Sequence, residues 1–387
     1  MNLSSDLRRP DLRAVPRRAR VLFINDTARN GGPGRSLLSI LKFMDPNVIH
    51  RAVLLPRPGV VSELLAPVAD EMHFLPSLVE NPIEPITRAM ERRDFDAMIP
   101  VKVARGLANV GRGAYAVRQL TTLAKKGRFD LLYCNGTNAD FAGGAVAWTS
   151  GVPALWHVRY IHNALDVAEF ARGAVVGVLR QELSLASDVV VFGSQGRILP
   201  RKGYVEMVRA AKIALEALSI KEREKVHFAV LGDTPEDIAP DHLSECRELA
   251  KDLGIARKFS FLGFRKDVRP YVCDFDVAVV PSVYADPLPR AVIETMAFGM
   301  PVIAFDVGGV AEMLADGETG ALVSASPPDV KGLADQMLRY FRDPELRHRQ
   351  GVASRARIEA SFDARTHARA IQHEILVTAG LPAPKTE

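Results

Sequence analysis

Two acidic side chains, Asp286 and Glu294, stand eight positions apart where a loop leads into a predicted helix. A carboxylate accepts hydrogen bonds from hydroxyl groups, and its two oxygens can bind both hydroxyls of a diol. The two prolines of the intervening loop lack an amide hydrogen, which leaves Leu288 and Arg290 as amide donors for an anion. The spacing indicates a site for sugar hydroxyls beside a phosphate; a structural role of Glu294 within its helix is the alternative.

Two cations, Arg197 and Lys202, stand five positions apart in a proline-containing turn between Gly196 and Gly203. A predicted helix follows this turn, and a helix N-terminus carries a partial positive charge that favours anions. Charged donors also form strong hydrogen bonds to phosphate oxygens. The turn predicts a cradle for a diphosphate, and a solvated basic loop is the alternative.

A glycine-containing loop joins the first predicted strand to the first predicted helix. Its Gly31 and Gly32 would let the backbone approach an anionic ligand closely. The GxGxxG spacing of a dinucleotide site is absent, and the second strand does not end in an acidic residue that could hold a ribose. The loop alone is equally consistent with a tight turn, and it argues against a nicotinamide-dependent oxidoreductase.

Apolar segments of strand length alternate with helical segments along most of the chain. Residues 20–25 and 129–134 are examples in the first half, and residues 225–231 and 277–280 are examples in the second. This alternation predicts an α/β fold of two Rossmann-like, doubly wound domains that face a cleft. Ligands of such sheets bind at the carboxyl ends of the strands, where all three motifs above are placed.

Taken in order, these motifs resemble the donor-binding region of family 4 retaining glycosyltransferases, which have the two-domain GT-B fold. The match is detailed from about residue 190 to 325 and looser from 20 to 188. The segments that carry it are the glycine loop, His157, the cationic turn, Phe261–Gly263, the acidic pair, Gly308–Glu312 and Asp316–Val323.

The resemblance implies the transfer of a sugar from a nucleoside-diphosphate sugar to an acceptor. It assigns Arg197 and Lys202 to the diphosphate of the donor. The Gly31–Gly32 loop would close over the same diphosphate from the first domain, and the amide of Leu288 would face it.

The resemblance places three residues, His157, Asp286 and Glu294, at the catalytic centre. Glu294 would bind the ribose, Asp286 would bind hydroxyls of the donor sugar, and His157 would lie beside that sugar. Without the family, a histidine within the core is the simpler interpretation of His157. The backbone near Phe264 would contact the base, and Gly308–Gly309 would form the loop on the sugar side.

The resemblance implies no cofactor beyond the donor and no metal ion. Fixed cations would stabilise the negative charge that develops on the leaving diphosphate. Retention would follow from attack on the face that the diphosphate leaves, with the departing phosphate taking the proton of the acceptor. No pair of the three cysteines, Cys134, Cys246 and Cys273, has metal-ligand spacing.

The chain departs from the family pattern between the two predicted domains. Ala186–Val191 resembles the last strand of a first domain, yet Arg197 follows almost at once. One strand and the linker are missing, and two strands would be merged within Val189–Gly193. If this shortening is an internal deletion, donor binding is a safer prediction than turnover. A non-catalytic nucleotide-sugar-binding protein is therefore the alternative function, and a sugar-nucleotide epimerase is another.

The predicted organisation has four parts. A disordered basic arm spans 1–19, an acceptor-side domain spans 20–188, and a nucleotide-sugar domain spans 189–361. A helix and tail at 362–387 would pack back on the first domain. The three dispersed cysteines favour a reducing, cytoplasmic location.

The charge distribution suggests where the acceptor lies. The 387 residues carry a net charge of +4, with the excess of basic residues in the first half. No apolar run is long enough to span a membrane. The basic stretch Arg88–Arg128 predicts contact with a membrane that presents a glycan or lipid-linked acceptor for cell-surface polysaccharide or glycolipid synthesis. The arginine-rich arm contains no aromatic residues, which argues against nucleic acid as a partner.

Overall fold

The computed structural model describes residues 17–28, 32–78, 99–157, 164–171, 173, 175–234, 241–286 and 288–383. The chain forms two compact units. The first comprises Met1–Ile161 with His367–Glu387, and the second comprises His162–Thr366. Each unit is built on its own parallel sheet.

The sheet of the first unit has five described strands in the order β3-β2-β1-β4-β5, and all neighbouring strands are parallel. The strands are β1 (Ala19–Asn25), β2 (Ile49–Leu55), β3 (Glu71–Phe74), β4 (Leu131–Asn135) and β5 (Ala154–Trp156). The helices described in this unit are α1 (Gly32–Phe43), α2 (Val60–Leu65), α3 (Ile99–Lys126), α4 (Thr137–Ser150) and, from His367 onward, α14 (Ala364–Thr378).

The central strands β1 and β4 are buried on both faces, and a strand buried in this way is a nearly continuous apolar run. Alternate side chains of β1 enter different cores: Val21 and Phe23 lie in one, and Leu22 and Ile24 lie in the other. Residues of α14, including Ile375, lie in the core that contains Phe23. The terminal helix is therefore part of the first unit.

The sheet of the second unit has six strands in the order β11-β10-β9-β6-β7-β8, again all parallel. The strands are β6 (Val190–Gln195), β7 (Val226–Leu231), β8 (Phe259–Phe261), β9 (Val277–Val280), β10 (Val302–Asp306) and β11 (Gly320–Ser324). The helices are α5 (Leu179–Glu182), α6 (Tyr204–Glu216), α7 (Ile220–Glu224), α8 (His242–Asp252), α9 (Arg269–Val272), α10 (Arg290–Ala297), α11 (Val310–Met313), α12 (Val330–Arg342) and α13 (Pro344–Ser361).

The order of this sheet reverses at β6, which pairs with β7 on one side and β9 on the other. Such a switch point opens a crevice at the carboxyl ends of the two strands. The turn after β6 leads into α6, and the loop after β9 leads into α10. The predicted cationic turn and acidic pair therefore lie on the two sides of this crevice.

The predicted boundary between residues 188 and 189 is wrong. The second unit begins at His162 rather than at residue 189. Val190–Gln195 is a single strand of the second sheet, within the predicted second domain. Residues that precede it, among them Leu165, Phe170 and Leu179, lie in a core of the second unit. A valine-rich run has the same pattern in either sheet, so the sequence identifies the strand but not the sheet that it joins.

The predicted disordered arm is also too long at its end. Residues 1–16 lie outside the described part of the chain. Arg17 binds Asp130 through two side-chain contacts, and the Arg18 side chain donates to the Ile49 carbonyl. Strand β1 then begins at Ala19, one residue before the predicted start. Within the described residues, no helix is both long enough and apolar enough to cross a membrane.

Candidate active site at the carboxyl edge of the second sheet

Glu294 lies in α10 and is only 6% exposed. Both of its carboxylate oxygens have partners. Gln195, the last residue of β6, donates from Nε2 to Oε2 at 3.0 Å, and Arg290 donates from Nε to Oε1 at 3.1 Å. A buried carboxylate is costly unless it is paired in this way. The strand end and the helix thus fix the orientation of Glu294.

Gln195 brings an unsatisfied group to this place. Its Oε1 atom is buried and has no hydrogen-bond partner in the structure. A buried acceptor without a donor is uncommon and costs stability, unless a ligand or water satisfies it. A hydroxyl group placed between Gln195 and Glu294 would donate to it. Gln195 was missed at the sequence level, because an amide at a strand end has no motif around it.

Lys202 and Asp286, which the resemblance assigns to different parts of the donor, bind each other. The Lys202 Nζ atom is 2.6 Å from the Asp286 Oδ2 atom, and both side chains are part-buried. The Asp286 backbone is held on both sides, since its N–H donates to the Tyr284 carbonyl and its carbonyl accepts from the Gly309 N–H. Arg197 is exposed in the turn after β6.

Two glycines allow this close arrangement. Gly308 has φ 62°, and a Cβ atom there would lie 2.4 Å from the Asp286 carbonyl oxygen. Gly203 has φ 69°, and a Cβ atom there would lie 1.7 Å from the Pro281 carbonyl oxygen. Any side chain would overlap the backbone at both positions, and L residues disfavour this conformation. The sugar-side loop and the cationic turn therefore each sit against the segment that follows β9.

The remaining predicted residues of the second unit are more dispersed. The Leu288 side chain is buried in the apolar core, which leaves its amide as the group that could meet a ligand. Phe264 is exposed just after β8, the edge strand, and β7 separates β8 from β6. No described contact joins Phe264 to Glu294.

His157 belongs to the first unit, directly after β5. Its backbone N–H donates to the Cys134 carbonyl at 2.8 Å, which continues the ladder between β5 and β4. Its ring Nδ1 atom is hydrogen-bonded to the hydroxyl of Tyr133. Burial raises the pKa of Tyr133, so this phenol stays protonated and donates to Nδ1. Neutral His157 then carries its proton on Nε2.

A polar cluster that sequence reasoning missed lies at the carboxyl ends of β1 and β4. Asn135 donates to Asn25 Oδ1 at 2.7 Å, and the Asn138 backbone N–H donates to Asp26 Oδ2 at 3.0 Å. Burial, and then the charge of Asp26, raise the pKa of Asp140 to about 6. Strand ends without a family motif gave no signal for this cluster.

The predicted glycine loop is only partly described. Gly32 begins α1, and the Pro33 carbonyl accepts from Asn135 Nδ2 at 3.1 Å. Gly31 lies outside the described residues. In the part of the chain that the structure describes, no group of three or more His, Cys, Asp or Glu side chains could hold a metal ion.

The residues around Glu294 match the model of a known sequence family. Residues 177–357 match the model of the glycosyl transferases group 1 family. The matched residues include β6 to β11 and therefore the cationic turn, the acidic pair and the loop at Gly308. The predicted resemblance to glycosyltransferases is confirmed over these residues. The family 4 subclass stays a prediction.

The chain is also similar to curated glycosyltransferases. The chain is 26% identical over 330 residues to the lipopolysaccharide core biosynthesis glycosyltransferase LpsE of Rhizobium meliloti, which covers 83% of this chain and 88% of that protein. It is 30% identical over 201 residues to the D-inositol 3-phosphate glycosyltransferase of Kribbella flavida, or 51% of this chain and 46% of that protein. Against the second relative, the match thus spans about half of either chain.

Solved structures confirm the predicted fold of two parallel-sheet domains. A glycosyltransferase from Rickettsia africae has a TM-score of 0.70 at 15% identity, covering 93% of this chain and 99% of that one. HepE of Anabaena, solved in complex with UDP and glucose, has a TM-score of 0.61 at 20% identity, covering 93% and 100%. At these identities the likeness concerns the fold alone.

Proposed function

We propose that this protein is a retaining glycosyltransferase that uses a nucleoside-diphosphate sugar. The observation that carries the proposal is the buried Glu294, which Gln195 and Arg290 hold at the switch point of the second sheet. Two acceptors, the carboxylate and the unsatisfied Gln195 Oε1, stand side by side there. This pair suits the two hydroxyls of a ribose.

The donor proposed first is a uridine nucleotide sugar. HepE of Anabaena, which shares the fold, was solved with UDP and glucose. The acceptor proposed is a glycan or a lipid-linked sugar in cell-surface polysaccharide or glycolipid synthesis, in line with the name of LpsE. We place the reaction in the cytoplasm, because the three cysteines are free in this structure.

In this proposal the donor diphosphate meets Lys202 and Arg197 across the cationic turn. Lys202 must then exchange Asp286 for a phosphate oxygen, and Asp286 is released toward hydroxyls of the donor sugar. The Leu288 amide and the loop at Gly308–Gly309 border the same place. When the bond between sugar and diphosphate breaks, the negative charge on the diphosphate would face Lys202 and Arg197. The positive charge on the sugar would face Asp286.

The chemistry proposed needs neither a metal ion nor a carboxylate nucleophile. Bond cleavage leaves negative charge on the diphosphate and positive charge on the sugar ring. The cations of the turn stabilise the first, and the leaving phosphate accepts the proton of the acceptor hydroxyl. His157, fixed by the Tyr133 hydroxyl, would present Nε2 to the donor sugar.

The experiment is a thermal-shift panel of UDP, GDP, ADP and their sugars on the wild type, Glu294→Ala and Glu294→Gln. Ligand at about a hundred times its Kd should stabilise the protein by roughly 2.7 kcal/mol. We expect one nucleotide to raise the Tm and both variants to lose that rise. Glu359→Gln, on an exposed face of α13, is the control. No shift with any nucleotide, from a protein that melts cooperatively, would refute the proposal.

A non-catalytic nucleotide-sugar-binding protein is the second candidate. The observation that favours it is how little described helix or strand joins the two sheets. Between β5 and β6, the described residues contain only a 3-10 turn at Val167–Phe170 and the four-residue α5. Donor binding with neither transfer nor slow donor hydrolysis would support this candidate. Release of a changed sugar nucleotide without any acceptor would instead indicate an epimerase.

A further inference from the structure

A cavity lies at the edge of the second sheet where the strands begin. Its volume is about 610 Å³, which is in the range of small-molecule sites. Asp276 and Pro301 of its lining directly precede β9 and β10, whereas the candidate active site follows the ends of these parallel strands. The four residues of β9 span about 13 Å. The cavity is therefore separate from the crevice at Glu294.

The walls of the cavity come from the end of α10 and from one side of α13. A Cβ atom at Gly351 of α13 would lie 2.3 Å from the Gly299 carbonyl oxygen, just after α10, so the two segments touch through their backbones. Arg355 of α13 donates from Nη1 to the carbonyl of Ala297, the last residue of α10. The apolar side chains of the lining belong to Ala297, Phe298, Pro301, Pro344, Val352 and Ala356. Backbone contacts thus fix the shape of a largely apolar cavity.

The two acids that line the cavity already have cationic partners. The Asp276 Oδ2 atom is 2.6 Å from Arg180 Nη2 and also accepts from the Val191 N–H. The Glu359 Oε1 atom accepts from Arg355 Nε at 2.7 Å. The charges of these four side chains therefore cancel in pairs.

Arg347 lines the same cavity and is part-buried. Its Nη1 atom donates to the carbonyls of Tyr340 and Phe341 at the end of α12. Within the described residues, no ion pair joins its guanidinium to a carboxylate, and Asp276 and Asp343 act on its charge only from farther away. Burial lowers the pKa of Arg347, because water solvates the charge poorly here. A part-buried cation without a close counter-ion favours an anion from solution.

We propose that this cavity binds a small molecule that carries one anionic group on an apolar or aromatic body. The carboxylate, sulfonate or phosphate of this molecule would accept from Nε and Nη2 of Arg347, a planar fork that suits two oxygens of one anion. An inorganic anion would leave most of the cavity unfilled. A nucleoside diphosphate fits less well, because Asp276 and Glu359 would repel its additional charges.

The dye 8-anilinonaphthalene-1-sulfonate is the probe, because it carries one sulfonate on an aromatic body and its emission rises when it leaves water. The full-length protein is titrated with the dye, with and without saturating UDP. We expect one dye bound per chain, and UDP should not displace it. Phenyl phosphate should compete with the dye at a concentration at least about tenfold below that of either phenol or inorganic phosphate, because only phenyl phosphate combines both features.

Variants on α13 separate this site from other apolar surfaces. Arg347→Gln should raise the Kd of the dye at least about tenfold, because it removes the charged donor. Val352→Asp should weaken binding as well, since it places a negative charge beside the bound anion and leaves the contacts of Arg347 with α12 intact. Val352 is 59% exposed, so this change should not disturb folding. Arg349→Gln is the matched control, because Arg349 is exposed on the same helix and does not line the cavity.

No dye binding by a protein that melts cooperatively would overturn the inference. Displacement of the dye by UDP would also overturn it, since the dye would then occupy the nucleotide site. Equal Kd values for Arg347→Gln and Arg349→Gln, or equal competition by phenol and phenyl phosphate, would show that no anion is recognised. The cavity shares no residue with the proposed donor site, so the thermal shift with nucleotides tests the proposed function independently.

Discussion

At the residue scale, the ion pair between Lys202 and Asp286 determines how the candidate site would meet a ligand. The pair joins the cation proposed to bind the diphosphate to the acid proposed to bind the donor sugar. Arg290 and Glu294, one helical turn apart on α10, form a second and more buried pair. The charges of these four side chains cancel in two pairs. A ligand with phosphates and hydroxyls would offer Lys202 and Asp286 a new partner each.

The first prediction concerns Asp286. Asp286→Asn removes the partner of Lys202 and the negative charge beside the proposed diphosphate. We expect a nucleoside diphosphate to bind about three- to tenfold more tightly, and its preference for carrying a sugar to decrease. Calorimetric titration with UDP and a UDP-sugar measures both values. Asp335→Asn is the control, since Asp335 pairs with Lys331 at the same 2.6 Å on exposed α12. Equal effects of the two variants would contradict this role.

At the element scale, the loops after β6, β9 and β10 form the site because each follows a strand of one parallel sheet. Strands β6 and β9 are neighbours, although their loops are far apart in sequence. The β6 loop is held at two points: the Ile198 N–H donates to the Asp233 carbonyl, and the Val283 N–H donates to the Arg201 carbonyl. The loops are thus fixed by backbone contacts, and their charged side chains are free to exchange partners.

The second prediction compares two glycines of the second unit. Gly203 and Gly254 have nearly the same φ, 69° and 71°. A Cβ atom at Gly203 would overlap the Pro281 carbonyl, whereas one at Gly254 would meet nothing within 4 Å. Gly254→Ala should cost about 1 kcal/mol through its backbone alone. Gly203→Ala should cost about 1–3 kcal/mol more, because the turn must move away from β9. Denaturant unfolding measures both, and equal costs would show that the turn is not held at Pro281.

At the scale of the whole molecule, one buried titratable group in each unit links stability to pH, and these two groups act in opposite directions. Burial raises the pKa of Asp140 in the first unit to about 6, from 3.8. Between these values the folded state binds more protons, so this group adds stability as the pH falls. Burial lowers the pKa of His227 in the second unit from 6.5 to about 4. There the unfolded state binds more protons, so stability is lost as the pH falls through this range.

The third prediction follows from these signs. Asp140→Asn should raise the Tm of the first unit at pH 7 and have little effect near pH 4. His227→Gln should do the reverse for the second unit, with its relative gain near pH 5, and Gln can still hydrogen-bond Ser260. Thermal melts of each variant against the wild type, as a function of pH, test both. Differences that do not change with pH would show that neither group titrates as inferred.

Much of the fold could be predicted from the sequence because its signals are local. Val277–Val280 and Val302–Asp306 are short apolar runs followed by turn residues, and each is a buried strand. The glycines of the turns mark positions where the backbone needs a positive φ or a close neighbour. The acidic pair and the cationic turn resemble motifs of a known family, so the sequence predicts that they follow strands. It does not predict the side chains that they contact.

The tertiary structure alone decided which groups meet. Gln195 and Glu294 are 99 positions apart, and only the pairing of β6 with β9 brings the strand end to the helix. Packing likewise assigned residues 162–188 to the second unit, and the pairing of β5 with β4 gave His157 its Tyr133 partner. The cavity beside Arg347 depends on how α13 packs against the end of α10. Periodicity and turn chemistry depend on neighbours in sequence, whereas strand order and side-chain partners depend on long-range packing, which a local pattern does not encode.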